Sequence, residues 1–432
     1  MLVRAFTQET FSEGNLRKIL ASINSIICAA LFSFMDYVLC LNCGRLSIEG
    51  MFCTYCHSPL FLANPKQEFN DGVYLGEVEG GNSPFHLPVN PYFGFHFAFY
   101  GVTGTGKTRA AMNLAIKAEN QGLCLRVLDV EGEWKKIIPS LSRETIYYDS
   151  DYNLKVNPFD LNDPGLTLLI LKETIFMGME QEYRELSPQM SYVLSKCVLE
   201  SGSIPELIER IMFYKPNVPF RFQNLEATKT ALLTRLNPFK DNPVLRRIFY
   251  VERSSIDLAS IKGLNLIVDL HDLDRRVAYK REVRLVYNII TTAYLREALA
   301  KSPMDKIENM FIADEAQLLV PKIIHKAIVT DTWVTTDFAT RLRKRGESLV
   351  IITQSPSNIE DDIRKNAQNI FVFRLQDPND IKVVAGMFGC VHVDEVSYFS
   401  SLLTNLDRGK AIVKTPLAKN PFILKTPEVK LR

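Results

Sequence analysis

Short apolar runs recur along the chain from about residue 95. They fall at Phe95–Tyr100, Leu123–Asp129, Thr145–Tyr148, Leu264–Leu270, Asn309–Ala313, Ser348–Thr353 and Ile370–Leu375. Several are continuous rather than alternating, as strands buried on both faces of a parallel sheet are. Helix-forming stretches such as Arg109–Asn120 lie between them. Strand–helix alternation predicts an α/β fold with a mostly parallel sheet covered on both sides. Between Leu166 and about Asp257 the pattern changes to helix-forming stretches, at Thr167–Met177, Met190–Glu200 and Leu225–Leu236. This reads as an α-helical insertion. The expected plan is a cysteine-rich module over residues 35–63 and a linker with a short β segment over 64–92. A core follows over 93–165 and 258–415, interrupted by the insertion over 166–257, and a tail over 416–432 ends the chain.

Composition changes this picture little. The chain has 432 residues, is 47% hydrophobic and 23% charged, and carries a formal net charge of +2. These are globular values, and they argue neither for nor against a nucleic-acid partner. One segment, Leu20–Leu41, holds a single charge, Asp36, and is long enough to span a bilayer. Ser22, Asn24, Ser25 and Ser33 interrupt it. A packed helix, a leader or a membrane anchor would each account for it. A start at Met35 would open directly into the cysteine module, so residues 1–34 are left without a role.

The densest chemical signal is GVTGTGKT, Gly101 to Thr108, between the run ending at Tyr100 and the helix-forming stretch from Arg109. Glycines at Gly101, Gly104 and Gly106 let successive backbone N–H groups turn inward on phosphate oxygens, and a helix N-terminus adds its partial positive charge. Thr103, Thr105 and Arg109 complete the candidate nucleotide site. Lys107 would reach the β- and γ-phosphates of ATP, and Thr108 would offer its hydroxyl to Mg²⁺.

Asn309–Leu319 supplies a second element, an apolar strand ending in Asp314-Glu315. The first acid would hold Mg²⁺ and the second would orient and deprotonate the attacking water, since strand C-termini line the nucleotide crevice. The next strand ends in Thr353-Gln354, where Gln354 could sense the γ-phosphate. Arg341, Arg343, Lys344 and Arg345 crowd the segment before it. One of these arginines could act across a subunit boundary, or the group could be a solvated helix end. Asp129, Glu131 and Glu133 follow the second strand and are explained equally by a nucleotide site or by an acidic helix start.

GVTGTGKT, DVEGEW, VNPFD (Val156–Asp160), NLIVDLHDL (Asn265–Leu273), FIADEAQ and RKRGESLVIITQSP occur in the order seen in the HerA–FtsK superfamily of P-loop ATPases. The chain resembles most its HerA branch and the type IV secretion and conjugation ATPases, over roughly residues 73–415. The resemblance implies a RecA-like core, a homo-hexameric ring and ATP-driven movement of DNA, or sometimes protein, through a pore. It implies Arg343 as the trans-acting arginine, Gln354 as the polar sensor and Glu133 as the acid after the second strand. The β-barrel that precedes the ATPase in cellular HerA proteins has no room in residues 62–95, and a cysteine module stands in its place. The helical insertion looks more like the secretion-type relatives.

Cys40-x-x-Cys43 and Cys53-x-x-Cys56 are separated by a stretch that can form a hairpin. Each pair aims two thiolates at one tetrahedral Zn²⁺, so the module resembles a zinc ribbon, and four thiolates leave no open position for catalysis. Such a module stabilises a small domain, or meets DNA or a partner protein. It also points to a reducing, cytoplasmic setting. Cys28, Cys124, Cys197 and Cys390 are isolated. Lys410 to Arg432 is basic, and Pro416, Pro421 and Pro427 predict an extended strap, lying on a neighbour or solvated. The leading expectation is a DNA-translocating Mg²⁺-ATPase. The second is an ATPase for protein export or pilus assembly, and the third a ring-forming nucleotide switch with little turnover. The Asp314-Glu315 pair weighs against the third.

Overall fold

The computed structural model describes residues 37–40, 43–48, 52–58, 60, 72–79, 83–92, 95–176, 186–216, 224–258, 260–277, 280–318, 341–418 and 420–428. Strands β1 (Tyr37–Leu39) and β2 (Leu46–Ile48) form a small antiparallel ribbon. The main sheet holds β3 (Val73–Val78), β4 (Ser83–Leu87), β5 (His96–Tyr100), β6 (Cys124–Asp129), β7 (Thr145–Asp149) and β8 (Asn265–Asp269). It is completed by β9 (Asn309–Asp314), β10 (Glu347–Thr353), β11 (Asn369–Val372), β12 (Lys410–Lys414) and β13 (Phe422–Lys425). The helices are α1 (Lys107–Asn120), α2 (Pro164–Leu171), α3 (Pro188–Glu200), α4 (Ile204–Phe213), α5 (Leu225–Leu236), α6 (Pro238–Asp241) and α7 (Pro243–Phe249). After β8 come α8 (His271–Arg276), α9 (Arg281–Ala300), α10 (Asp361–Asn366), α11 (Pro378–Met387) and α12 (Val393–Thr404).

The strand order is β4-β3-β13-β12-β11-β5-β10-β9-β6-β8-β7. From β11 to β7 every neighbouring pair is parallel, and β12, β13, β3 and β4 extend the sheet antiparallel. The phosphate-loop strand β5 therefore lies between β10 and β11, and the acidic strand β9 is one strand further out. Every residue of β5, β6, β8, β9, β10 and β11 is buried, which is why their sequences run apolar without alternation.

The two faces are packed by different partners. Phe97, Phe99, Val127, Ile312 and Ile352 share one buried cluster with Ala111, Leu114 and Ala115 of α1. Phe99 stacks on Phe371 of the adjacent strand, with centroids 4.8 Å apart and planes 11° from parallel, a contact of about 0.5–1.5 kcal/mol beyond its area. On the other face Ala98, Tyr100, Ala313 and Ile351 share one buried cluster with Tyr287 of α9 and with Ile170, Leu194, Leu207 and Leu236 of the helices between β7 and β8. These helices thus share a core with the sheet. Asp163, Ser187, Ser203, Asn224 and Asn242 cap α2, α3, α4, α5 and α7 through their side chains, each bond being worth about 1 kcal/mol. Helix α2 passes into a π-helical turn, Lys172–Phe176.

Segments on either side of the expected core are built into this sheet. The segment read as a linker with a short strand contributes β3 and β4, and the tail contributes β13, which pairs with β12 on one side and β3 on the other. The expected strap thus lies on its own chain, because its residues Phe422 and Leu424 are apolar and fully buried. Tyr37–Leu39, near the end of the apolar segment Leu20–Leu41, is a strand, so that segment is not one helix throughout. Its residues 20–36 lie outside the described residues. Among the described residues no helix is long and apolar enough to cross a membrane.

Candidate active site

The phosphate loop is stitched to its neighbours by backbone bonds. Gly101 N–H donates to Thr353 O at 3.3 Å, Val102 N–H to Arg374 O at 3.0 Å, and Gly409 N–H to Thr105 O at 2.9 Å. Gly101, at φ 156°, is needed because a Cβ there would stand 2.7 Å from Phe373 Cβ. Gly106, at φ 112°, opens α1 in a conformation that side chains rarely adopt. Thr105 is a brace within the loop, its hydroxyl donating to Val102 O at 2.7 Å. Lys107 is buried at the helix start, Thr108 is half-buried beside it, and Thr103, Gly104 and Arg109 are exposed.

Asp314 ends β9 on the face that carries α1. It is buried, and its carboxyl is held well above the usual range, first by burial and then by Asp129 and Glu315, with Lys107 and the Trp134 indole opposing. Asp129, at the tip of β6, is pushed up to about 7, chiefly by burial, while backbone N–H donors from Trp134 and Gly132 oppose and Asp269 adds. A buried cluster of acids facing one lysine lacks positive charge, and a divalent cation would supply it. The tips of β6 and β9 are pinned from below by the Tyr287 hydroxyl, which donates to Leu128 O at 3.1 Å and to Asp314 O.

Glu315 is a non-glycine residue at φ 53°, a strained conformation of the kind that collects at working sites. Its side chain is bracketed by amides. Gln354 Nε2 donates to Glu315 Oε1 at 3.1 Å, and Gln317 Nε2 donates to Oε2. Gln354 Oε1 accepts the Thr103 hydroxyl at 2.9 Å, and Gln317 Oε1 accepts the Thr353 hydroxyl at 2.7 Å. A continuous chain of hydrogen bonds therefore runs from the exposed tip of the phosphate loop to the acidic pair.

The remaining expected residues divide. Arg343 opens a short 3-10 turn, Arg343–Arg345, ahead of β10, and its side chain lies outside what is described. Arg345 donates to Lys301 O, which ties it to the end of α9, and Arg341 and Lys344 are exposed. Glu133 forms an exposed pair with Lys136 at 3.0 Å. Asp129 is instead the acid of that turn that comes into range of Asp314. Trp134 and Gln317 also border the acids. Their only signal in the sequence is proximity, one in DVEGEW and the other two residues after Glu315.

The cysteines converge as expected. Their sulfurs lie within 4.8 Å of one another, with Cys40 Sγ 3.6 Å from Cys56 Sγ and Cys43 Sγ 3.8 Å from Cys53 Sγ. A tetrahedral zinc with Zn–S bonds of ~2.3 Å sets its sulfurs about 3.8 Å apart, so the cluster has the dimensions of a four-thiolate site. The two halves match: Gly44 N–H returns to Cys40 O at 2.8 Å and His57 N–H to Cys53 O at 2.9 Å. Gly44 and His57 hold equivalent left-handed positions, φ 69° and 55°. His57 thus serves the backbone turn, outside the ligand set.

The family model described as "Helicase HerA, central domain" matches residues 73–388. The chain belongs to the HerA helicase family. It is a P-loop ATPase of the HerA–FtsK superfamily. The DNA double-strand break repair helicase HerA of Sulfurisphaera tokodaii is 23% identical over 407 residues, covering 90% of this chain and 76% of that protein. The HerA helicase of Sulfolobus acidocaldarius is 22% identical over 393 residues, covering 85% and 72%. In fold, this HerA-family chain is similar to VirB4 of Thermoanaerobacter pseudethanolicus, with a TM-score of 0.62 at 17% identity over 84% of this chain and 98% of that one. It is also similar to the plasmid coupling protein TrwB in complex with a non-hydrolysable ATP analogue, with a TM-score of 0.58 at 17% identity over 84% and 90%. These likenesses establish the RecA-like architecture with its mostly parallel sheet.

Proposed function

We propose that this chain is a Mg²⁺-dependent ATPase that works as a homo-hexameric ring and drives DNA through the ring's pore. The observation that carries this reading is the hydrogen-bonded chain Thr103–Gln354–Glu315, which joins the phosphate loop to a strained acid at the next strand tip but one. A nucleotide binder without turnover has no need of that second acid. The backbone N–H groups of Gly101 to Thr108 and the Lys107 ammonium bind the phosphates. We assign Thr108 and Asp314 to Mg²⁺, which when bound would neutralise charge on the β- and γ-phosphates. Glu315 orients the attacking water and accepts its proton. Gln354 touches both the loop and Glu315, so a shift of the loop on hydrolysis is felt at the base. Arg343 is the arginine we assign to the neighbouring subunit's site. DNA as cargo is supported by the HerA helicases that the chain matches over most of its length.

The four cysteines hold a structural zinc in a small ribbon module ahead of the ATPase core, whose sheet also takes in β3, β4 and β13. Leu46, Ile48 and Tyr55 of that module are exposed, a surface suited to a partner protein. We assign the chain to the cytoplasm, a reading supported by thiolates reserved for metal.

The deciding experiment is steady-state ATP hydrolysis by the full chain, with and without single- or double-stranded DNA, against Glu315→Gln. Stimulation by DNA that fades with added salt supports the translocase. Hydrolysis indifferent to DNA overturns the cargo and favours a motor for protein export or pilus assembly.

A further inference from the structure

Trp134 has no assigned part in ATP hydrolysis, yet its geometry ties it to the site. It follows the acidic turn after β6 and is wholly buried. Its backbone N–H donates to Asp129 Oδ2 at 2.8 Å, and Gly132 N–H donates to Oδ1 of the same carboxylate at 2.8 Å. Asp129 thereby fixes the turn and, with it, the direction of the indole. Nε1–H of that ring meets Asp314 Oδ2 at 3.3 Å. The other oxygen, Oδ1, accepts the Glu315 backbone N–H at 3.2 Å. The Asp314 carboxylate is thus gripped once on each oxygen, by donors from two separate elements. An indole nitrogen donates and cannot accept, so Trp134 can hold the acid but cannot compete for its cation. Each carboxylate oxygen keeps a further acceptor direction for that cation.

We propose that Trp134 is a positioning residue for the divalent cation: with Asp129 as its anchor, it sets the orientation in which Asp314 meets Mg²⁺. The proposal rests on the assignment of Asp314 to Mg²⁺ made above. Burial alone would explain an aromatic ring at this place. It would not explain why the N–H is aimed at the acid that ends β9.

Two measurements test it. Trp134→Phe keeps the ring in the core and removes only the donor. The expected result is a rise of about ten-fold in the Mg²⁺ concentration at half-maximal hydrolysis, the scale seen when a ligand's supporting partner is removed. ATP binding measured in EDTA should stay unchanged. The second measurement leaves Trp134 intact. The chain has two tryptophans, Trp134 and Trp333, so in Trp333→Phe the emission comes from Trp134 alone. Adding Mg²⁺ to the ADP-bound protein should then change that emission, with the midpoint found for Mg²⁺ binding. An unchanged Mg²⁺ midpoint in Trp134→Phe overturns the positioning role while leaving the cation site standing. Equal losses of ATP affinity with and without Mg²⁺ also overturn it, in favour of plain packing. Wild-type hydrolysis that needs no divalent cation sinks the Asp314 assignment itself, and this proposal with it.

Discussion

Gln354 donates its amide N–H to Glu315 Oε1 across 3.1 Å, so two strand tips that are neighbours in space meet through side chains 39 positions apart in the chain. The same amide group accepts from Thr103, so a single substitution at Gln354 cuts this link between loop and acid. We expect Gln354→Ala to lower ATP turnover about 10- to 100-fold while ATP affinity changes only a few-fold. Glu315→Gln should go further and lose about 10²- to 10⁴-fold, as removal of a general base does. Steady-state rates together with nucleotide-binding titrations separate the two effects. Turnover near wild type in Glu315→Gln would falsify its role.

Lys107 is buried at the start of α1 and faces the Asp314 cluster. Lys107→Ala removes the cation that faces the acids and that we assign to the phosphates. ATP binding should weaken at least about ten-fold, since a charge-assisted bond to a buried group is worth roughly 1.5–3 kcal/mol. Equal affinity in calorimetry would remove the loop from the phosphate site.

Asp129 gives a pH dependence with a defined sign. Its carboxyl is raised to about 7 in the fold, mainly by burial, against about 3.9 in an unfolded chain. The fold therefore favours the protonated form. Its contribution is full below about pH 4 and is lost as pH rises toward 7, by an amount on the order of a few kcal/mol. Without Mg²⁺ and nucleotide, Asp129→Asn should be less sensitive to pH across this window. Denaturant melts of both proteins at several pH values measure the difference, and parallel curves would contradict it.

The cysteine cluster should behave as one unit. Cys53→Ser removes one of four thiolates, and the remaining sulfurs cannot close a tetrahedron. Zinc measured on the purified protein should fall to background, and protease should cut residues 37–60 faster, while ATP hydrolysis continues. Retained zinc would mean that the metal is held elsewhere.

At Gly101 the constraint is steric. Gly101→Ala would place its Cβ 2.7 Å from Phe373 Cβ and 3.0 Å from Thr105 Oγ1. We expect a loss of roughly 1–3 kcal/mol of stability, the usual cost of overpacking, together with weaker ATP binding. Thermal unfolding and a nucleotide titration check both.

Much of this site is legible in the sequence, because the signals are local. The loop from Gly101 to Thr108 depends on glycine conformations and one lysine within a single turn. The strand ends at Asp314, Glu315 and Gln354 follow from continuous apolar runs that stop at polar residues. The cysteine pairs are a matter of spacing. What sequence could not supply was anything set by the sheet order. Only the placing of β10 between β5 and β9 brings Gln354 against both Thr103 and Glu315. The left-handed backbone of Glu315 is imposed by the packing around it, since nothing in its residue type asks for φ 53°. The same holds for Asp129 and Glu133, which look equivalent in the sequence until the turn buries one and leaves the other paired with Lys136 in solvent. Prolines exclude a helix in the tail locally, which predicts an extended strap. Its place as β13 was decided by a vacant sheet edge between β12 and β3, where hydrogen bonds and buried apolar side chains come from residues far apart in the chain.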